Sequence, residues 1–398
     1  MISNVNLTQA QTNAVKKLSK VKVGALFMEP GTGKTLTALR LIESTNTDFV
    51  LFMVPFQTKG NLQAEIDKWG LSKKYRIEGI ESLSNSDRLY LDLLAQCHCY
   101  HHVFMVVDES IKIKNDDAIR TQRCLAISKL TEYRLILNGT PVTKNIMDLW
   151  TQMYFLSSKI LNMGNNCFED TFVEYIDYRY YDSHKRIIKK YHNLEYLYSL
   201  IDPFVFDAKL NLSINQQQIE TKYELSAASM ENYQSIKDWY LTRWGNWDIE
   251  NIFLAMTQRL QQAYCIDDNK LLILDALLKK INMAKTIVFC KFVQSKSYLQ
   301  SKYPELHILT YGKGALGLNL QQFHTIIFFD KTFDYAQKDQ AEYRVYRIGQ
   351  NEDVTYYNFS GQVGLDKMIG ENNDKKINLL ETFKKLSVTA QKKKIEAL

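Results

Sequence analysis

One short segment, MEPGTGKT at residues 28–35, constrains the fold of this chain more than any other part of the sequence. It directly follows the apolar run VGALF and leads into LTALRLI, in which apolar residues recur at helical spacing. A strand, a glycine-rich turn and a helix in this order are typical of a phosphate-binding loop in a parallel α/β sheet. The chain is therefore predicted to contain an α/β domain that binds a phosphorylated ligand.

The residue types in this loop predict ATP with Mg²⁺ as the ligand. Gly31 and Gly33 allow backbone amides to close around phosphates, and Lys34 reaches the β- and γ-phosphate oxygens. The Thr35 hydroxyl is a suitable Mg²⁺ ligand, and the start of the following helix adds positive charge. The predicted ATP-contacting residues of the loop are Pro30, Gly31, Thr32, Gly33, Lys34 and Thr35.

A second segment, VFMVVDES at residues 103–110, places two adjacent acids after an apolar strand. Open α/β sheets bind their ligands at the carboxyl ends of the strands. Asp108 is predicted to hold Mg²⁺ and Glu109 to orient the attacking water, a division of labour that suffices for phosphoryl transfer. An Asp-Glu pair alone is more often solvated, but the phosphate loop upstream favours the catalytic interpretation.

A third segment, QAEYRVYRIGQ at residues 340–350, supplies Arg344 and Arg347. If the segment is helical, residues at this spacing share a face and both guanidinium groups point the same way. Across a cleft from the phosphate loop, they are predicted to stabilise charge on the γ-phosphate. Without the other two motifs, the same arginines would be ordinary surface residues.

The composition is that of a soluble protein with two or more domains. The chain has 398 residues and 45% hydrophobic content, which is enough for a large core. Apolar runs are shorter than a membrane span and the start has no signal-peptide pattern, so a cytoplasmic protein without membrane contact is predicted. Six scattered cysteines are predicted to be free thiols. The net charge of +6 is compatible with a polyanionic partner but does not identify one.

Two α/β regions are predicted, with a region of weaker strand periodicity between them. Residues 156–266 are dominated by helical, aromatic and polar segments, with one strand expected at residues 219–225. The predicted architecture is two tandem RecA-like lobes with parallel sheets, helical insertions and a C-terminal helix. The predicted domains are lobe one at residues 1–157, an insertion and crossing at 158–209, lobe two at 210–362, and a helical brace at 363–398.

The motifs, in their order and wording, resemble the Swi/Snf-type ATPases of helicase superfamily two, which are double-stranded-DNA translocases. The resemblance runs from residue 7 to residue 359. RLILNGTPVTKNIMDLW at residues 134–150 is its most specific string and resembles the third motif, with Asn138 where threonine is usual. KTIVFCKF, GALGLNLQ and QAEYRVYRIGQ resemble motifs four, five and six.

This resemblance implies further binding residues. Gln11, in LTQAQ, looks like the family's adenine-contacting glutamine. The residues that the resemblance implies as DNA contacts are Lys59, Asn61, Lys114, Asn115, Lys291, Gly317 and Asn319.

The sequence departs from the family pattern in two places. Ile111 replaces the histidine usual after the acids, which weakens any coupling role for that position. Residues 293–313 alone separate motif four from motif five, so the helix and strand normally found there are expected to be truncated. The short chain and its richness in Asn, Lys and Tyr resemble compact bacteriophage and prophage forms, which would act in the cytoplasm of a bacterial host.

Two further clusters carry chemically active residue types. HKRIIKK at residues 184–190 lies beside the aromatic-rich YIDYRYYD. Lys185, Arg186, Lys189 and Lys190 are predicted either to grip DNA phosphates or to form a solvated helix or hairpin face. CHCYHH at residues 97–102 has zinc-ligand residue types but no second ligand pair at finger spacing, so no metal site is predicted there.

The combined prediction is a monomeric, ATP- and Mg²⁺-dependent motor that translocates on double-stranded DNA and hydrolyses ATP between two lobes. One alternative is an RNA- or single-strand-dependent helicase, because motor motifs mostly touch the nucleic-acid backbone. The other is a nucleotide-binding scaffold that switches shape without hydrolysis. The wording of the third motif favours DNA, and the retention of Lys34, Glu109 and both arginines argues against the scaffold.

Strand separation is not expected from the sequence, because it requires a rigid wedge at the fork. Residues 156–266 read largely as helices and irregular aromatic segments. The Asn-Gly turn signal at residues 138–139 belongs to the third motif and not to a hairpin.

Overall fold

The computed structural model describes residues 6–139, 146–180, 183–242, 249–314, 320–374 and 388–398. The chain divides into two compact units, Met1–Asn211 and Leu212–Leu398, and each contains its own parallel sheet. The predicted α/β class with two parallel sheets is therefore confirmed. Within the described ranges, no helix is both long enough and apolar enough to cross a membrane.

The first unit is built on a six-stranded parallel sheet with the strand order β3-β2-β4-β5-β1-β8. All six residues of β2 are buried, which is typical of a strand covered by helices on both faces. The strands are β1 (Val23–Met28), β2 (Phe49–Val54), β3 (Lys74–Gly79), β4 (Val103–Asp108), β5 (Tyr133–Asn138) and β8 (Val205–Ala208).

Helices cover both faces of this sheet, because successive strand residues point to opposite sides. Leu51 and Met105 pack into one apolar core, whereas the neighbouring Val50 and Val106 pack into the other. The helices of this unit are α1 (Gln9–Leu18), α2 (Lys34–Glu43), α3 (Lys59–Trp69), α4 (Ser82–Asn85), α5 (Asp87–His98), α6 (Ile119–Ser128), α7 (Met147–Leu156), α8 (Ser158–Leu161), α9 (Asn165–Phe172) and α10 (Leu194–Ile201).

A β-hairpin lies between α9 and α10, where the sequence favoured helices and irregular segments and left a hairpin face at residues 184–190 as one alternative. Its strands are β6 (Val173–Tyr180) and β7 (Ser183–Tyr191), which pair antiparallel as a separate two-stranded sheet. The turn lacks Asn-Gly, but the β-branched and aromatic residues of both strands favour extended backbone. Tyr175, Ile188 and Tyr191 pack its base against the first unit's core, which supplies the stability that an isolated hairpin lacks.

The second unit contains a five-stranded parallel sheet with the order β11-β10-β12-β13-β9. Its strands are β9 (Gln216–Tyr223), β10 (Thr286–Cys290), β11 (His307–Thr310), β12 (Thr325–Phe328) and β13 (Val354–Gly361). Strand β9 confirms the strand expected near residues 219–225 and forms one edge of the sheet.

The helices of the second unit include a short one between motifs four and five. They are α11 (Ala227–Thr242), α12 (Ile249–Gln262), α13 (Asp268–Leu278), α14 (Val293–Lys302), α15 (Tyr311–Gly314), α16 (Tyr335–Val345), α17 (Gly364–Asp374) and α18 (Val388–Glu396). The helix α14 and the strand β11 occupy the stretch between motifs four and five, where a truncated helix and strand were expected. Both are short, which is how they fit within residues 293–313.

The C-terminal helix α18 is anchored to the second unit through Gly364. Ile395 and Leu398 are buried, and the Gly364 N–H donates a hydrogen bond to the Leu398 carbonyl at 3.0 Å. A Cβ added at Gly364 would lie 2.0 Å from the Ala397 carbonyl oxygen. Because that neighbour is backbone, the last turn of the chain could not avoid the added atom by a side-chain rotation.

We predict that Gly364→Ala lowers the thermal unfolding midpoint, since overpacking of this kind costs about 1–3 kcal/mol. Gly60→Ala is the matched control, because a Cβ at Gly60 in α3 meets nothing within 4 Å. The control should be neutral or stabilising by up to about 1 kcal/mol. Differential scanning calorimetry of both variants provides the measurement, and equal midpoints would contradict the predicted clash.

Candidate phosphate-binding site

The loop between β1 and α2 has the backbone conformation that its glycines predict. Gly31 and Gly33 have φ values of 85° and 81°, in the left-handed region that side chains disfavour. The Thr32 hydroxyl donates to the Glu29 carbonyl at 2.7 Å, and the Lys34 ammonium donates to the Met28 carbonyl at 2.8 Å. The loop thus places its lysine and the start of α2 at the carboxyl end of β1, as a phosphate site requires.

The Gln11 side chain supports this loop through a hydrogen bond to the loop backbone. This side chain is 3% exposed, and its amide nitrogen donates to the Thr32 carbonyl at 3.0 Å. Its amide oxygen accepts the Thr8 N–H at 2.9 Å, within a capping box at the start of α1. A Cβ added at Gly33 would lie 2.3 Å from the Gln11 amide nitrogen. The sequence did not reveal this contact, whereas the adenine contact implied for Gln11 stays a prediction.

The two acids lie where β4 ends. Asp108 is the last residue of the strand, and the Glu109 N–H donates to an Asp108 carboxylate oxygen at 3.0 Å. Glu109 has a φ of 50°, a left-handed conformation that costs a non-glycine residue on the order of 1–3 kcal/mol. Strained residues cluster at functional sites, so this turn agrees with the catalytic role predicted for Glu109.

Strand register brings the loop and the acids to one edge of the sheet. Leu26 in β1 and Asp108 in β4 both pair with Leu137 of β5, which lies between them. Adjacent strands are about 4.8 Å apart, so the ends of β1 and β4 are roughly 10 Å apart. Gly139, which follows β5, approaches the loop so closely that a Cβ there would lie 2.9 Å from Pro30 Cδ.

A buried polar network connects the acidic segment to the third motif. The Ser110 hydroxyl donates to the Gln152 amide oxygen at 2.6 Å and accepts from the Asn138 amide at 3.4 Å. All three residues are at most 2% exposed. Asn138, which stands where threonine is usual in the family, therefore still reaches the acidic segment. Ser110, and not the atypical Ile111, makes this connection.

The predicted Mg²⁺ ligands fit a magnesium ion by their chemistry. Asp108 offers a carboxylate at the end of β4, and Thr35 offers a hydroxyl in the first turn of α2. Both are oxygen ligands, and Mg²⁺ in nucleotide sites takes only one or two protein ligands alongside phosphate and water.

The two arginines do not share a helix, which corrects the sequence-based argument about them. Helix α16 ends at Val345, so Arg344 lies in its last turn and Arg347 lies beyond it. Gly349, with a φ of 102°, and Gln350 form the turn that follows. The Gln350 amide donates to the carbonyls of Gln321 and Phe323, and this fixes the segment after Arg347. Both arginines are half-buried.

The predicted DNA contacts lie in several different environments. Lys59 pairs with Glu78 at 3.0 Å, and Lys114 pairs with Asp148 at 3.3 Å. Asn115 accepts the Asp117 N–H at 3.1 Å, within the turn after the acidic segment. Asn61 is half-buried in α3. Gly317 and Asn319 lie outside the described residues, as does the side chain of Lys185.

Lys291 is half-buried at the end of β10. Its ammonium donates to the Gln261 amide oxygen and lies 3.5 Å from the centre of the Phe333 ring. Burial lowers the pKa of Lys291 to about 7, although Asp330 opposes this shift. Its DNA contact stays a prediction.

A buried ion pair at the carboxyl edge of the second sheet was not found from the sequence. Lys270 and Asp330 are 2.9 Å apart, with side chains only 2% and 3% exposed. The second Asp330 oxygen accepts the N–H groups of Lys291 and Phe292, at 3.0 and 3.4 Å. The pair therefore fixes the loop after β10, which carries motif four. Lys270 and Asp330 are far apart in sequence and neither belongs to a predicted motif.

The CHCYHH segment contributes one residue to the first unit's core and two residues to a surface turn. Cys97 is buried, and burial raises the pKa of its thiol to about 11. The N–H groups of His101 and His102 each donate to Asp48 at 3.0 Å. Among the residues that the structure describes, no three His, Cys, Asp or Glu side chains converge as metal ligands.

Comparisons with known proteins connect both units to one family. The family profile described as SNF2-related domain matches residues 77–287. The SWI/SNF chromatin-remodeling complex subunit snf22 of Schizosaccharomyces pombe is 25% identical over 89% of this chain. The ISWI chromatin-remodeling complex ATPase ISW2 of Saccharomyces cerevisiae is 22% identical over 89% of this chain. The chain spans only 26% of the length of snf22 and 38% of ISW2.

Solved structures are also similar to this chain, and one of them matches over nearly its whole length. It is the Sulfolobus solfataricus SWI2/SNF2 ATPase core in complex with dsDNA. It has a TM-score of 0.45 and 18% sequence identity, and the match covers 99% of this chain and 98% of that chain.

We predict that Gln11→Ala weakens the binding of ATP and of inorganic tripolyphosphate by a similar factor of roughly two to ten. The lost hydrogen bond to Thr32 is worth about 0.5–1.5 kcal/mol and supports the phosphate loop, not the base. Gln9→Ala is the matched control, since Gln9 is exposed and bonds only within its own helix, to Asn13. Competition against a fluorescent nucleotide measures both ligands. A loss confined to ATP would contradict loop support and favour the adenine contact.

Proposed function

Because this chain belongs to the SNF2-related family, we propose that it is an ATPase whose turnover depends on double-stranded DNA. The observation that carries the proposal is the convergence of the phosphate loop, the acidic pair and the third motif on one sheet edge. ATPase activity and chromatin remodeling belong to the names of its relatives, and chromatin is packaged duplex DNA. These names support a duplex as the activating polymer here.

In this proposal each residue of the site has one role in phosphoryl transfer to water. The loop amides and Lys34 bind the phosphates, and Thr35 and Asp108 hold Mg²⁺, which neutralises developing charge. Glu109 orients the attacking water from its strained turn at the end of β4. We assign Arg344 and Arg347 to charge stabilisation on the γ-phosphate, a role that does not require a shared helix.

Two alternatives remain distinct from this proposal. An RNA-dependent or single-strand-dependent helicase would use the same ATP chemistry, and it differs in which polymer stimulates turnover. A nucleotide-binding scaffold would bind ATP without hydrolysis. The strained Glu109 turn disfavours the scaffold. In a protein that does not hydrolyse ATP, this strain would lower the stability of the fold without contributing to catalysis.

We propose in addition that hydrolysis drives translocation along the duplex. The hairpin of β6 and β7 removes the sequence-based argument against strand separation, because it is a candidate wedge. The proposal also includes a monomeric protein of bacteriophage type that acts in a bacterial host's cytoplasm. The bacteriophage type is supported by the Asn, Lys and Tyr content of the sequence.

We predict that Glu109→Gln retains ATP binding and loses hydrolysis, because only the water-orienting carboxylate is removed. The loss should be at least about a hundredfold in turnover, as for removal of a catalytic base. Lys34→Ala is the comparison variant, in which ATP binding itself should fail. Equilibrium binding of a labelled ATP analogue and steady-state phosphate release separate the two effects. Normal turnover in Glu109→Gln would contradict the role assigned to Glu109.

Translocation is tested by triplex displacement beside unwinding of a forked duplex, with Lys34→Ala as the inactive control. ATP-dependent triplex displacement is expected, because a duplex moves with the strand that the motor grips. If the fork strand were released without triplex displacement, the protein would be a helicase and not a duplex translocase. Deletion of the hairpin of β6 and β7 then shows whether this hairpin contributes to any unwinding.

A further inference from the structure

Four side chains at the base of the hairpin form an exposed charged group, here called the Glu174 cluster: Glu174, Lys189, Lys190 and His192. The Glu174 carboxylate lies 2.6 Å from the Lys189 ammonium and 2.8 Å from the His192 ring nitrogen Nε2. The Lys190 ammonium is 3.6 Å away. Three side chains able to carry positive charge therefore converge on one acid.

A β-bulge produces this convergence. The register shifts between Glu174 and Tyr175, so that Glu174 pairs with Lys190 and Tyr175 pairs with Ile188, which leaves Lys189 as the extra residue. In a regular strand, Lys189 and Lys190 would point to opposite faces of the hairpin. The bulge redirects Lys189, so both lysines reach the same carboxylate. Bulges commonly re-aim a side chain next to a functional site.

The cluster has a fixed base but remains open to solvent. The His192 N–H donates to the Phe172 carbonyl at 2.9 Å, which anchors the end of the hairpin to α9. The lysine side chains are 51% and 57% exposed, and Glu174 is 32% exposed. A large anion from solution can therefore approach the same ammonium groups that Glu174 contacts.

Glu174 carries full negative charge at neutral pH. The hydrogen bond from Lys189 and the neighbouring positive charges lower the pKa of Glu174 to about 2. Exposed ion pairs are weak, because water and salt screen them. A nucleic-acid phosphate can therefore exchange with Glu174 at little cost.

A further exposed cation of β7 lies outside the Glu174 cluster. Arg186 is exposed and stacks on the Tyr175 ring, with its guanidinium carbon 4.4 Å from the ring centre. Arg186 lies on the same face of the hairpin as Tyr175, opposite to Glu174 and Lys190, so β7 carries cations on both of its faces. Proteins that contact nucleic-acid backbones combine these features.

We propose that the Glu174 cluster is a phosphate-contact site for duplex DNA, in which Glu174 occupies the position of a backbone phosphate until DNA displaces it. This inference rests on the proposed function, because it assumes that the chain binds DNA. The internal carboxylate weakens the contact, and a motor that must release the backbone at each step benefits from a contact that exchanges readily. Free lysines would hold the duplex more tightly.

The test compares duplex affinity of Glu174→Gln and the wild-type protein over a range of salt concentrations. Removing the carboxylate should tighten binding roughly two- to tenfold at low salt, since two lysines lose their internal partner. The slope of log affinity against log salt should stay about the same, because DNA displaces Glu174 in the wild-type protein and the same lysines contact phosphates in both proteins. Glu231→Gln is the matched control, an exposed acid in α11 with the same change in net charge.

A second set of variants keeps the test decisive. Glu174→Ala removes the carboxylate together with the rest of the side chain beyond Cβ. Adding Lys189→Ala and Lys190→Ala to Glu174→Gln should abolish the gain in duplex affinity. Unchanged or weaker binding in both Glu174 variants would overturn the inference and show that the carboxylate only stabilises the hairpin. A gain equal to that of Glu231→Gln would also overturn it, since it would reflect net charge alone.

Failure of the proposed function is visible in a separate measurement. If duplex DNA does not stimulate ATP hydrolysis by the wild-type protein, the proposed function is contradicted. The affinity comparison still decides the inference in that case, because it depends on binding and not on turnover.

Discussion

Backbone hydrogen bonds between β1, β5 and β4 hold the candidate site together. Their register places Leu26 and Asp108 opposite the same residue of β5, so the phosphate loop and the acids end at one edge of the sheet. Everything proposed for ATP depends on this alignment. A slip of one residue would turn each side chain of the strand to the other face. The two apolar cores on the faces of the sheet make such a slip unfavourable.

The parts predictable from the sequence were those fixed by local residue chemistry. Gly31 and Gly33 adopt the backbone conformation that their residue type allows, and Asp108 ends its strand as an acid after an apolar run should. The parts that were missed depend on residues distant in sequence. The Gln11 contact with Thr32 and the Lys270 pair with Asp330 have no local pattern. Such contacts need the tertiary fold, which a single sequence does not display.

The hairpin and the arginines show a different reason for error. The hairpin has strand-forming residues but lacks the usual turn signal, and a search for that signal overlooks it. Arg344 and Arg347 have helical spacing, yet α16 ends between them because Gly349 and Gln350 form a turn immediately afterwards. Periodicity predicted the type of each long element well, but it did not locate where an element stops.

The Lys270–Asp330 pair and the Glu174 cluster differ in burial, and this difference separates a positioning role from an exchangeable contact. The pair of Lys270 and Asp330 is almost fully buried, and loss of one partner would leave an uncompensated charge, so it holds the motif-four loop in place. The Glu174 cluster is exposed and weak, so its lysines can change partners.

The most direct test of the account is the steady-state ATPase rate with duplex DNA, single-stranded DNA, RNA and no polymer. The account predicts a low rate alone and the largest stimulation with duplex DNA, because the central claim couples this sheet edge to a duplex. Greater stimulation by RNA or by single strands would contradict the duplex assignment. Hydrolysis that no polymer changes would contradict the coupling itself.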